Sequence, residues 1–409
     1  MVPNGWSKIK LGELTTVITS GSRDWAQYYA ESGSKFIRMT NLNRHGIHLL
    51  LDDLKYVSVD SSSSDGKRTA LQAGDILCSI TAELGKIGWI PDNFGEAYIN
   101  QHTALIRIDG KKADSKFIAY QLSSTGLNQV INSLNDAGAK SGLNLPTIRT
   151  IPIYSPPLLE QQKIAQILST WDQAISATEK LLENSQLQKQ ALMQQLLTGK
   201  KRLLDKNGVR FGGEWKNFCL ADIADMNSGG TPKSSVPEYY DGDIPWVSIA
   251  DMTNHGKWIS TTERNLSLLG LENSSARIYP KNTILYAMYA SIGECSIAKV
   301  EVSSSQAILG IRPKDCLHYE FLYFYLCSLK DRIKLQGQQG TQSNLNAGMV
   351  KDFKIYLPNL EEQKAISNVL NICDEEILVL QKKLDCLKRE KKALMQQLLT
   401  GKKRVKVAA

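Results

Sequence analysis

The stretch ALMQQLLTGKKR occupies residues 191–202 and recurs, letter for letter, at residues 393–404 of a 409-residue chain. Working outward from it, the same offset of 202 relates IPIYSPPLLEQQKIAQIL (151–168) to FKIYLPNLEEQKAISNVL (353–370). Ile153, Tyr154, Pro156, Leu158, Glu160, Gln161, Ile164 and Leu168 fall on Ile355, Tyr356, Pro358, Leu360, Glu362, Gln363, Ile366 and Leu370. GAKSGLN (138–144) matches GTQSNLN (340–346). Fainter echoes open each half: GWSKIKLGEL (5–14) against GEWKNFCLADI (213–223), and a histidine-glycine shared by MTNLNRHG (39–46) and IADMTNHG (249–256). The chain is a tandem duplication in which a variable region of roughly 155 residues precedes a long segment that stays similar.

The similar segments read as helices. Steps of four and three residues from Ile164 pass through Leu168, Trp171, Ile175, Thr178, Leu182, Ser185, Lys189, Leu192 and Leu196. The second copy gives Ile366, Leu370, Cys373, Ile377, Leu380, Leu384, Leu387, Lys391, Leu394 and Leu398. This is the heptad seam of a coiled coil, and neither run contains proline. Lys189 and Lys391 sit at the same seam position; each either fixes register or lays its stem in the groove with its head in water. TGKKR supplies a glycine stop and cations suited to the helix C-terminal dipole, a structural reading that stands beside direct phosphate binding. A helix from 160 to 198 is roughly 58 Å long. Two such helices bury their seams most economically against each other, antiparallel, with one variable domain at each end. Twelve residues (203–214) link Arg202 to Trp215, while five follow Arg404 and five precede Trp6. The halves are therefore expected in a pseudo-two-fold, circular arrangement, which suits duplex DNA with its major grooves about 34 Å apart.

Composition narrows the class. Hydrophobic content of 42% and charged content of 22% are those of a globular protein, and the length suggests two or three domains. The opening MVPNGWSKIKLGEL has no apolar run of signal-peptide length, and no stretch reaches membrane-helix length. Seven scattered cysteines without a C-x-x-C pair point to reduced thiols in a cytoplasmic protein. A net charge of +8 is compatible with nucleic acid but does not demand it.

The repeated L-x-E-Q-x-x-I at each helix start and QLLTGKKR at each helix end resemble the specificity (S) subunit of type I restriction–modification enzymes. SGGTPKSSVPEYYDGDIPWVSIADM (228–252) and TILYAMYASIGECSIA (283–298) resemble parts of that family's target-recognition domains. The likeness covers nearly the whole chain. It implies that each recognition domain reads one half of a bipartite, asymmetric DNA site, with a spacer set by helix length. It also implies that two modification (M) subunits, which methylate adenine at N6, dock on the helices and domain flanks, and that restriction (R) subunits join them. S-adenosylmethionine, ATP and Mg then belong to those partners, with no cofactor in this chain. The expected domains are 1–157, first recognition domain; 158–202, central helical region; 203–214, linker; 215–359, second recognition domain; 360–404, C-terminal helical region; and 405–409, tail. The expected fold is α+β: twisted, mainly antiparallel sheets with helices, joined by two long antiparallel helices forming a coiled coil. KFIRMT, DILCSI, TALIRI and TILYAMY read as strands, and 114–124 and 318–330 as packing helices.

Catalytic signatures are missing. The nearest approach to an [N/D]-P-P-[Y/F/W] methyltransferase loop is SPPL (155–158), and no G-x-x-x-x-G-K-[ST] loop is present. EKK (390–392) lies in a heptad helix, and the five histidines lack ligand spacing, so no metal site is expected. Base readout needs Arg, Lys, Asn, Gln and similar side chains on loops. The first domain offers Arg23, Gln27, Tyr28, Arg38, Asn41, Arg44, His45, Lys86, Lys140 and Asn144. The second offers Thr231, Lys233, Asn254, His255, Tyr286, Tyr289, Gln342 and Asn344. Arg38 equally fits a strand surface, His45 and His255 a turn, and Tyr286 and Tyr289 the core. VDSSSSDG (59–66) reads as a loop without chemistry. Two rival readings are a single-chain DNA methyltransferase or nuclease, which purified chain would reveal by catalysis, and a DNA-independent coiled-coil adaptor, which would show no salt-dependent duplex binding.

Overall fold

The computed structural model of the chain describes residues 3–22, 25–134, 142–289, 291–338 and 345–406. It divides into two compact units that do not follow the order of the chain. One comprises residues 1–179 with 382–409, the other residues 180–381.

Two helices of equal length carry the repeats, Leu158–Leu196 and Leu360–Leu398. Both are free of glycine and proline, so nothing in the sequence interrupts their backbone ladders. Asn359 caps the second, its Oδ1 accepting from the Glu362 N–H at 2.9 Å. Each helix ends at the glycine read as a stop: Gly199 has φ +71° and Gly401 φ +69°. The bonds from Lys201 N to the Gln195 carbonyl and from Lys403 N to the Gln397 carbonyl, both 3.1 Å, complete a left-handed cap. Along the seams, Ile164, Leu168, Leu196, Ile366, Leu370, Leu384 and Leu398 are buried. Trp171, Ile175, Leu182, Leu192, Ile377, Leu380, Leu387 and Leu394 are half-buried.

In the first unit a four-stranded antiparallel sheet contains β1 (Thr15–Ser20), β2 (Ile76–Ser79), β3 (Ile87–Trp89) and β4 (Thr103–Ile108), in the order β1-β4-β2-β3. Its inner face (Ile18, Ile76, Cys78, Ala104, Ile106) packs on Phe117 and Tyr120 of the helix Ser115–Ser123. That helix is capped by Asp114, whose Oδ1 accepts from the Phe117 N–H at 2.8 Å. Ile164 and Leu168, from the start of one long helix, and Leu398 and Leu399, from the end of the other, close the same core. A second small sheet includes Ser34–Ile37 pairing parallel with Ala97–Ile99.

The second unit repeats this plan. Its sheet holds β5 (Ala224–Ser228), β6 (Trp258–Ile259), β7 (Ile284–Ala287), β8 (Cys295–Ala298) and β9 (Ile308–Pro313), in the order β5-β9-β7-β8-β6. Phe321 and Phe324 of the helix Tyr319–Gln338 lie in the core with Ile366 and Leu370, and with Leu196 and Leu197 from the end of the first long helix.

The helix segments within each unit run antiparallel and are pinned by ion pairs that the repeat matches residue for residue. In the first unit Arg404 grips Glu160 with two bonds of 2.8 and 2.7 Å, and Lys391 pairs with Asp172. In the second, Arg202 grips Glu362 with bonds of 2.6 and 2.7 Å, and Lys189 pairs with Asp374 at 2.5 Å. Every pair joins the end of one copy to the start of the other. Lys391 is therefore not headed for water: its side chain is 8% exposed and that of Asp172 10%. Lys189 also meets a carboxylate, so the seam lysines take the register role. Arg202 and Arg404 are likewise bound to carboxylates, Arg202 with 20% of its side chain exposed and Arg404 with 44%. Each also donates to nearby backbone, Arg202 to the Gly212 and Gly213 carbonyls just before Trp215 and Arg404 to that of Asn4 just before Trp6.

Candidate nucleic-acid interface

Because the first unit's sheet is antiparallel, the C-terminal ends of β1 and β2 and the N-terminal ends of β3 and β4 share one rim. Backbone bonds knit its loops together. Gly21 N donates to the Thr103 carbonyl at 3.3 Å, Ile80 N to that of His102 at 3.0 Å, and Leu143 N to that of Ile80 at 3.0 Å. Asn43 and Ile87 exchange two bonds of 2.9 Å. At Gly21 the Asn100 backbone leaves no room for a Cβ, so glycine is required for this approach. Thr81 Oγ1 meets His102 Nδ1 at 2.7 Å. Arg44 donates to the Leu84 carbonyl at 2.8 Å and pairs with Glu83 at 3.4 Å, while Lys86 reaches Glu83 at 2.6 Å. Lys86, then Arg44, hold the Glu83 carboxyl below its usual range.

The rim thus gathers Arg44, His45, Lys86 and Asn144 from the expected set. His45 is exposed beside an Asx turn closed by Asn43. Asn144 caps the helix Leu145–Arg149, accepting from the Thr147 N–H at 2.7 Å. Gln27 is exposed, and Tyr28 is half-buried with its ring edge-on to Trp25. Two expectations are corrected. Asn41 is 1% exposed, and its amide is consumed by the Arg38 N–H and the Leu50 carbonyl. Arg38 turns its Nη2 onto Asp53, at 2.7 Å to its carboxylate and 2.6 Å to its carbonyl, while its buried Nε has no partner among the described residues. Both hold their own loop. The serine run is also more than a loop: Ser63 caps the helix Ser64–Thr69. Arg68 of that helix donates to the Ser20 carbonyl at 2.8 Å and binds Ser22 and Asp65.

The second unit builds an equivalent rim from β5, β7, β8 and β9. Gly229 N donates to the Ile308 carbonyl at 3.0 Å, Met288 N to that of Ala307 at 2.9 Å, and Leu345 N to that of Met288 at 3.2 Å. Thr231 Oγ1 accepts from the Gln306 N–H at 3.4 Å, and Lys233 is exposed nearby in sequence. Asn254 and His255 are exposed at the end of the helix Ile249–His255, and Tyr289 is 39% exposed. Tyr286 is corrected to a core residue: its side chain is fully buried, and burial pushes its hydroxyl pKa up. Arg23, Lys140, Gln342 and Asn344 lie outside the described residues. His102, Gln306 and Arg68 were not singled out from sequence. Each sits in a segment without a motif, and only strand order brings it to a rim. Among the described residues no cluster of metal-ligating side chains occurs, and no helix is long and apolar enough to cross a membrane.

Comparison with known proteins places this arrangement. The family model for the type I restriction modification DNA specificity domain matches twice, over residues 3–188 and 212–389. The type I restriction enzyme MjaIX specificity subunit of Methanocaldococcus jannaschii is 34% identical over 167 residues, covering 40% of this chain and 39% of that protein. The putative type I restriction enzyme MjaX specificity subunit of the same organism is 25% identical over 419 residues, covering 99% of this chain and 95% of that one. Among solved structures, the S subunit of a type I restriction–modification system from M. genitalium shares the fold, with a TM-score of 0.62, 15% identity and 97% coverage of both chains. A chain from a structural study of complex assembly and conformational transition in the type I R-M system gives 0.56, 15% and 98% of both. The duplicated helices, the two matching rims and the doubled family match agree: the chain belongs to the type I restriction modification DNA specificity family.

Proposed function

We propose that this chain is the non-catalytic specificity subunit of a cytoplasmic type I restriction–modification complex. Each rim reads one half of a bipartite, asymmetric duplex site, and the helical regions set the spacer. The observation that carries this reading is one scaffold built twice, with different side chains on its two rims. Residues 1–157 and 215–359 then act as the two target-recognition domains, and 158–202 and 360–404 as the helical regions between them. S-adenosylmethionine, ATP and Mg serve the partner modification and restriction subunits.

The helix ends support docking of two modification subunits. Leu196, Leu197, Gly199 and Arg202 stay identical to their counterparts for reasons of packing and capping. Ala191, Gln194, Gln195, Thr198, Lys200 and Lys201 are exposed, as are Ala393, Gln396, Gln397, Thr400, Lys402 and Lys403. Of these side chains, the Thr198 and Thr400 hydroxyls bond to carbonyls of their own helices, at Gln194 and Gln396. Just upstream, the exposed pairs Gln186/Lys388, Leu187/Arg389, Gln188/Glu390 and Gln190/Lys392 have all drifted. A surface kept alike in both units fits a partner that binds once to each.

The test is co-expression with the modification subunit in a methylation-free host and mapping of N6-methyladenine across the genome. A single split, asymmetric motif is expected. A stable complex without any motif, together with duplex binding that does not weaken with salt, would replace this reading with that of an adaptor.

A further inference from the structure

In the order β1-β4-β2-β3, strand β4 lies between β1 and β2, so the turn leading into it occupies the middle of the first rim. The turn leading into β9, between β5 and β7, has the same place in the second. We propose that the side chains at these two turns, His102 and Gln306, are base-reading residues, each setting which base pair is accepted at one position of its half-site. The inference rests on the specificity reading above and names residues for it.

Both turns are held rigidly by backbone. In the first, Thr103 N donates to the Asn100 carbonyl at 3.2 Å, and the His102 carbonyl accepts from Ile80 N at 3.0 Å. In the second, Ile308 N donates to the Ser305 carbonyl at 3.0 Å, and the Ala307 carbonyl accepts from Met288 N at 2.9 Å. Glycine backs each turn: Gly21 abuts Asn100 and Gly229 abuts Ser304, with no space for a Cβ at either. Hydrogen-bond readout needs such fixed geometry.

The middle side chains also have bonding capacity to spare. Around His102 the cations are already committed, Arg44 and Lys86 to Glu83 and Arg68 to Asp65. His102 uses Nδ1 on Thr81, and among the described residues Nε2 has no partner. Thr81 thereby orients the ring, leaving one donor or acceptor for a base edge. Gln306 is exposed, and among the described residues its carboxamide has no partner. It offers a donor and an acceptor side by side, the pattern that matches adenine N7 and N6. The backbone bonds pair His102 with Ala307 and Gln101 with Gln306, so the two units present their spare bonding group from adjacent positions of the same turn.

The test maps N6-methyladenine for complexes carrying wild-type chain, Gln306→Ala, Gln306→His and His102→Gln. Each Gln306 variant is expected to lower discrimination at one base pair of one half-site by roughly 10-fold or more, leaving the other half unchanged. His102→Gln should act in the opposite half only. Wild-type half-sites from all variants, or a change in both halves from one substitution, would overturn the proposal while leaving the specificity reading in place. No motif from the wild-type complex would overturn both. His102→Gln also removes the Thr81 contact; the exposed Gln306 variants, checked by thermal unfolding, keep the test independent of folding.

Discussion

At the scale of single residues, the tightest constraint is the carboxylate–guanidinium fork at each helix start. Glu362 is fully buried, and Arg202 is its bidentate partner. Removing one member of a buried pair strands the other charge, so Arg202→Ala should cost about 3 kcal/mol. Denaturant unfolding measures it, and a loss below about 1 kcal/mol would mean that water compensates the glutamate. The sequence made Gly199 and Gly401 legible as stops, because a glycine after a heptad run has few other uses. It did not reveal that the arginines three residues later are bound, since their glutamates lie 160 and 244 residues away. Asn41 and Tyr286 show the same limit from the other side. Both are readout-type residues by chemistry, and only the packing of their neighbours turns them inward.

Among elements, the long helices were readable because heptad periodicity repeats over many turns. Short pieces such as Ser64–Thr69 were not, because five polar residues and a glycine hold no period and the helix depends on Ser63 and on Arg68 reaching Ser20 and Ser22. The caps separate two otherwise equivalent helix ends. A Cβ on Gly401 would lie 2.5 Å from Pro3 Cγ, whereas one on Gly199 would lie 3.3 Å from Trp215. Both substitutions to alanine pay for left-handed backbone, about 1–2 kcal/mol, and Gly401→Ala should be the worse by thermal unfolding. Asp172 joins three elements. Burial raises its pKa, but His48, Lys391 and Tyr120 outweigh that and hold the carboxyl below its ordinary value of 3.8. Arg404 is the chief cause lowering Glu160 below 4.5. Both folded values lie under the unfolded ones, so unfolding takes up protons. The stabilisation is complete above the unfolded values and is lost as pH falls through the folded ones. The Tm should therefore hold from about pH 7 to 5.5 and drop below about pH 4. Asp172→Asn should lower the plateau and flatten the drop; an unchanged acid limb would exclude Asp172 as a contributor.

For the whole molecule, the duplication and the heptads gave the two-fold plan, and the resemblance to the family was carried by the motifs at the helix starts and ends and in the stretches 228–252 and 283–298. What they could not show is which segment completes which unit. Residues 382–409 belong to the unit that contains the chain's beginning, and Leu398, Leu399 and Arg404 finish its core and clasp. Deleting residues 398–409 should abolish hydrogen-exchange protection in residues 3–134 while residues 215–330 keep theirs; uniform loss would mean that the units unfold as one. This arrangement also inverts the timetable of synthesis. All of residues 180–381 leave the ribosome before the first unit receives its last helix turn. At roughly 5–20 residues per second, the earliest-made segment waits on the order of 10–45 s for its closing piece. The second half of the polypeptide can be native first, and the N-terminal unit spends that interval as a client for whatever shields unfinished cores in the cell.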